Sequence, residues 1–271
     1  MAITPSQKSS REWSLLFIAL LLVAGIVVPL WWWTQHGDTS QFDPTGKWTP
    51  ERIRRLFIGP EQVACYCFFT WAGLILLKRS MEVRRQRQAF ELELLPTEEG
   101  ARILPEDARP LLRKLDTVTQ RRPYVLAQMI RLALGKYAIS HSAPDVGEVV
   151  RTQADVEQGR LVSSMATVQY LTWAIPALGF LGTVRGLAAS FTMAGSGKTS
   201  DAFIAEASHH LNFAFDCTLI ALALSLVIMY FLHSVQRSEE TLIIDCQQYC
   251  QEHMLLRLYD PHAEHADLVR T

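Results

Sequence analysis

Residues 161–184 read LVSSMATVQYLTWAIPALGFLGTV, 24 residues without one Asp, Glu, Lys or Arg. A bilayer core about 30 Å thick takes about 20 residues of apolar helix, so this stretch can cross a membrane alone. Two further charge-free runs, residues 14–33 and 217–236, hold 20 residues each. A fourth, residues 63–77, has 15 and reaches spanning length only by using the polar flanks near Pro60 and Lys78. Across the chain of 271 residues, 49% are hydrophobic and 20% charged, and the two kinds are segregated along it. That pattern excludes an ordinary soluble globule. The net charge of −1 lacks the basic excess that holds a phosphate backbone, which excludes a nucleic-acid-binding module. The expected fold is an all-α membrane protein with four transmembrane helices and long cytoplasmic helical extensions.

The first run ends in Trp31, Trp32 and Trp33 with no small-residue cleavage site, so it reads as a span with an interfacial anchor and not a signal peptide. Four spans place both termini on one side. That side holds 20 Lys and Arg, the other 5, and Lys and Arg mark the cytoplasmic face. The expected divisions begin with a cytoplasmic tail at 1–13. Spans follow at 14–33, 63–78, 161–193 and 209–234, with outer loops at 34–62 and 194–208. A cytoplasmic helical region fills 79–160, and a cytoplasmic helix and tail fill 235–271.

Within 79–160, the stretches Met81–Leu95, Ala108–Thr119 and Val125–Tyr137 place apolar residues three and four apart, with Pro96, Pro105, Pro110 and Pro123 as breaks. These predict short amphipathic helices. Residues 145–160 have no breaker except Gly147 and Gly159, so the third span can continue a long cytoplasmic helix. Residues 238–259 form another amphipathic stretch, with Leu242, Ile243, Cys246, Tyr249, Cys250 and Leu256 as its stripe, and a neighbouring subunit is the expected partner. Arg52, Arg54 and Arg55, interleaved with Ile53, Leu56 and Phe57, suggest a short interfacial helix in the first outer loop. The five cysteines give no disulfide framework. Cys246, Cys250 and His253 share a helical face; buried packing is the plain reading and a metal site the alternative. Gly195–Thr199 mimics the end of a nucleotide-binding loop, but Thr192 stands where its first glycine belongs.

Helices associate in lipid through small residues and a few polar contacts, because lipid already satisfies Leu and Val. The third span carries Gly179, Gly182, Thr183, Gly186 and Ser190 at three- and four-residue spacing, and the fourth carries Ala214, Thr218, Ala221 and Ser225. Two such faces fit either simple helix packing within one subunit or a narrow wet path.

Residues 175–191, IPALGFLGTVRGLAASF, resemble the signature of the MotA/TolQ/ExbB proton-channel family: a proline, a Gly-x-x-Gly-Thr-Val-x-Gly core and a phenylalanine on the penultimate span. The resemblance extends over residues 171–230 and is weaker in the fourth span, where Ala221 stands in place of a frequent glycine and Ile228 near a proline common in TolQ and ExbB. Four spans match the MotA arrangement, while the motif wording is closer to TolQ and ExbB. The resemblance implies a homopentamer in the bacterial inner membrane, surrounding a dimer of a single-span MotB/TolR/ExbD-like partner. It implies the stator of a motor that converts proton motive force into mechanical work, without a cofactor or covalent catalysis. Sodium is also compatible with a threonine-lined path. By position, Thr183 and Thr218 match the pore threonines and Pro176 the signature proline, with Gly179, Gly182, Gly186, Ala221 and Ser225 as packing residues. The rival readings are an oligomeric membrane scaffold with no ion path and a small transporter.

Arg185 and Asp216 are the ionisable residues within the spans. If antiparallel helices set Thr183 level with Thr218, both charges lie about 3 Å further out and are turned about 200° from the threonine face. An intramembrane Arg185–Asp216 ion pair, within or between subunits, is the expectation, with a direct part in proton transfer as the alternative.

Overall fold

The computed structural model describes residues 5–36, 59–92, 94–95, 102–121, 123–192 and 200–259. The stretch Arg52–Phe57 and the loop Gly195–Thr199 lie outside them. Among the described residues there are six α-helices: α1 (Pro5–His36), α2 (Pro60–Arg87), α3 (Ala108–Arg121), α4 (Val125–Ser140), α5 (Ala143–Thr192) and α6 (Ser200–His253). They contain no strand, only a parallel bridge between Ile103 and Leu258. Helices α2, α5 and α6 are long and apolar enough to cross a membrane, and α1 carries a shorter apolar stretch, Ser14–Pro29. The chain is an all-α membrane protein.

One of the predicted elements takes a different form, and the continuation of the third span is as expected. Met81–Leu95 is not a separate helix: no Gly or Pro separates it from the preceding span, so α2 runs on to Arg87 and closes in a 3-10 turn, Gln88–Glu91. Residues 145–160 and the third charge-free run form one continuous helix, α5.

The chain divides into two compact units, residues 1–78 with 166–234 and residues 79–165 with 235–271. In the first, α2 begins at Pro60, whose missing N–H costs nothing at a helix start, with acidic Glu61 in the favourable first turn. The amide of Val63 closes that turn on the carbonyl of Gly59 at 2.9 Å. Cys65 and Ala72 of α2, Ile175 of α5 and Cys217 of α6 are fully buried. Large apolar side chains cover the outside, among them Trp173, Phe180 and Phe191 on α5 and Leu219, Leu226 and Tyr230 on α6. Soluble proteins rarely expose so continuous an apolar surface, whereas lipid or neighbouring helices cover it at no cost.

The second unit is built around α4. Leu126, Ala127, Met129, Ile130, Ala133, Leu134 and Tyr137 are all at most 1% exposed, as expected of a helix that is apolar on most sides. Its N-terminus has no capping side chain of its own. Gln86 of α2 fills that place: its Oε1 accepts the Val125 amide at 2.9 Å, and its Nε2 donates to the Pro123 carbonyl at 3.1 Å. His141 ends α4 in the left-handed region, φ 52°, with its amide on the Tyr137 carbonyl. The Tyr137 hydroxyl lies 3.0 Å from the Ile103 carbonyl and 2.8 Å from that of Tyr259, so it ties α4 to the bridged segments.

The stripe on residues 238–259 packs within its own chain and not on a neighbouring subunit. Leu242, Ile243, Cys246 and Cys250 belong to the same buried core as α4, with Tyr249 packed against it. Leu256 stays 82% exposed, because α6 has ended at His253 and the helical register is lost. The His253 ring lies 4.5 Å from that of Tyr249, tilted by 47°, and the described residues contain no group of three ligating side chains able to hold a metal. Burial pushes the thiols of Cys246 and Cys250 up to about 12. Arg79 donates to both carboxylate oxygens of Glu239, 3.0 and 3.3 Å, and to the Ser164 carbonyl at 2.7 Å. Burial raises the Glu239 pKa and Arg79 partly opposes the rise.

Candidate functional site

Helices α5 and α6 run antiparallel, because positions rise on one as their partners fall on the other. Gly179 faces Ala221, Gly182 faces Cys217 and Gly186 faces Ala214. A Cβ at Gly179 would overlap that of Ala221. One at Gly182 would lie 2.5 Å from Cys217 Sγ, and one at Gly186 would lie 2.7 Å from Ala214 Cβ and 3.0 Å from the His210 carbonyl oxygen. None of these contacts leaves room for a methyl group. Ser190 extends the contact, donating to the Gly186 carbonyl at 3.0 Å and lying 3.3 Å from that of Ala207.

At the centre of this contact the Thr183 and Thr218 hydroxyls hydrogen-bond to each other. Thr183 Oγ1 also lies 3.1 Å from the Gly179 carbonyl, and Thr218 Oγ1 lies 3.2 Å from the carbonyls of both Gly179 and Ala214. Two hydroxyl protons are therefore shared among two carbonyls and two hydroxyl oxygens, and rotation of either O–H changes which acceptor is served. Both threonines are only half-buried, so the pair has an open side. Ser225 is buried further along α6, at 7% exposure, and Pro176 lies inside α5.

Within one subunit the expected Arg185–Asp216 pair does not form. Within the chain Arg185 binds Glu61, Nη1 to Oε1 at 2.8 Å and Nη2 to Oε2 at 2.9 Å, and not Asp216. Asp216 makes no ion pair among the described residues. Helix α2 starts three residues before the apolar run does, which brings Glu61 beside Gly182, its Cγ 3.4 Å from where a Cβ there would stand. Phe213 of α6 lies under the guanidinium, 5.9 Å from ring centroid to Cζ. Counting uncharged residues puts Glu61 in a loop. The signal that recovers it is Pro60 followed by an acid, a helix start.

Together these features define a class: an all-α membrane protein whose two small-faced helices meet at a hydroxyl pair, with one clasped charge pair beside it. Residues 122–248 match the MotA/TolQ/ExbB proton channel family. The matched residues include both threonines, all three packing glycines and Arg185, but not Glu61. Neither a curated protein nor a solved structure matches the chain.

Proposed function

We propose that the chain is the channel subunit, or stator, of an ion-driven motor in the bacterial inner membrane. Five copies surround a dimer of a single-span MotB/TolR/ExbD-like partner, and the first helix supplies a fourth span. Both termini and the second compact unit lie in the cytoplasm, in keeping with the excess of Lys and Arg on that side. Protons are the transported ion. The single observation that carries the reading is the half-buried Thr183–Thr218 hydroxyl pair in the contact between the two family-matched helices.

The chemistry follows from that pair. A hydroxyl can accept a hydrogen bond from, and donate one to, a hydrated proton or a carboxyl on the partner helix without itself carrying charge. Gly179, whose carbonyl is within reach of both hydroxyls, fixes their positions. Each charge crossing the membrane releases about 2.3 kcal/mol per 100 mV, enough to shift one small interface between two packings. A scaffold would use the same glycines but would need no partner. Native mass spectrometry of the chain co-expressed with its candidate single-span partner separates the two. Five copies with two partners are expected; a monomer, or a dimer without partner, overturns the reading.

A further inference from the structure

The Glu61–Arg185 pair is unequally enclosed. The Glu61 side chain is 10% exposed and that of Arg185 is 56% exposed. The negative end is therefore sealed between helices, while the positive end stays open two residues along α5 from Thr183. Among the described residues Asp216 makes no ion pair with Arg185, and the Phe213 ring lies under the guanidinium. We propose that Glu61 is a positioning residue for ion flow: it neutralises Arg185, which would otherwise repel cations from the path at Thr183 and Thr218. This rests on the reading of the threonine pair as the ion path.

Helix geometry gives the scale. Two residues of α-helix separate Arg185 from Thr183 by about 3 Å of rise and about 200° of turn, which places an extended guanidinium roughly 10 Å from the hydroxyls. A bare unit charge at roughly 10 Å in an effective dielectric of about 20 changes the local occupancy of a monovalent cation by roughly tenfold. A bidentate carboxylate converts that lone charge into a short dipole whose field falls off faster. Fixed arginines exclude cations from other pores by the same repulsion.

The electrostatic role and a purely structural one differ in sign. The experiment uses liposomes holding the chain with the single-span protein that copurifies with it, proton uptake being followed by a pH-sensitive dye under a potassium diffusion potential. Glu61→Gln is expected to slow uptake about tenfold with the subunit stoichiometry unchanged. Glu61→Gln with Arg185→Gln is expected to recover native uptake. Arg185→Gln alone leaves a carboxylate that attracts cations, so its uptake is expected to equal or exceed native. Equal losses in both single variants, or native uptake in an assembled Glu61→Gln variant, overturn the inference. If Glu61→Gln does not assemble, Arg185→Gln decides alone, and a tenfold fall in its uptake overturns it. Thr183→Val with Thr218→Val is measured alongside. Native uptake in that variant removes the path reading and this inference together, whereas loss there with native uptake in Glu61→Gln removes this inference only.

Discussion

Replacing Gly179 with alanine tests the closest point of the α5–α6 contact. The new methyl would overlap Ala221 Cβ, which is fixed to its backbone and cannot rotate away. Its other neighbours, Thr218 Cα at 3.4 Å and the Cys217 carbonyl oxygen at 3.7 Å, are ordinary contacts, so one methyl causes the whole conflict. Over-packing of this kind costs about 1–3 kcal/mol, roughly 5- to 150-fold in an equilibrium constant. Separating the helices would also draw the Gly179 carbonyl away from Thr218. The reversed pair, Gly179→Ala with Ala221→Gly, removes the obstructing methyl. The helix-propensity gain at one site and loss at the other, each about 1 kcal/mol, then cancel. Equilibrium unfolding in mixed detergent micelles, followed by tryptophan fluorescence, should show Gly179→Ala destabilised by about 1–2 kcal/mol, the upper part of the over-packing cost less the propensity gain of about 1 kcal/mol, and the double variant near native. A single variant within about 0.5 kcal/mol of native, or a double variant no better than the single, refutes the packing reasoning.

Two further predictions concern the second unit. Tyr137→Phe removes the hydroxyl that joins the carbonyls of Ile103 and Tyr259; a loss of about 1–2 kcal/mol and faster proteolysis near residue 258 are expected, and an unchanged melting temperature would count against it. Cys246 and Cys250 titrate near 12 in the folded chain against an ordinary 9.0. The unfolded thiols lose protons first, so stability should fall as pH rises from 9 towards 12. At pH 8.5 both should resist alkylation until denaturant is added; labelling of the native protein at the rate of a free thiol contradicts their burial.

The parts of this fold visible in the sequence are those set by local periodicity. Charge-free runs mark α5 and α6 because lipid tolerates no unpaired charge, and the recurrence of Gly179, Gly182 and Gly186 marks a face because the helix repeat is fixed. What meets a face is not local. Nothing around Leu242, Ile243 and Cys246 says that α4 of the same chain covers them, and their stripe alone suits a neighbouring subunit equally well. Gln86 caps a helix that begins 39 residues later, a contact that no motif encodes. Arg185 finds Glu61 and not Asp216 because helix α2 starts earlier than its apolar residues do. An offset of three residues at a helix end decided which charge was buried beside the arginine.

The most direct test of the ion path is proton uptake by liposomes containing the chain with both threonines replaced, Thr183→Val and Thr218→Val, together with its partner. Valine keeps the volume and removes the hydroxyls. The expected result is about a hundredfold or greater loss of uptake, the scale on which positioned proton-transfer groups contribute, with five copies and two partners still assembled. Native uptake in the assembled valine variant would contradict the hydroxyl path.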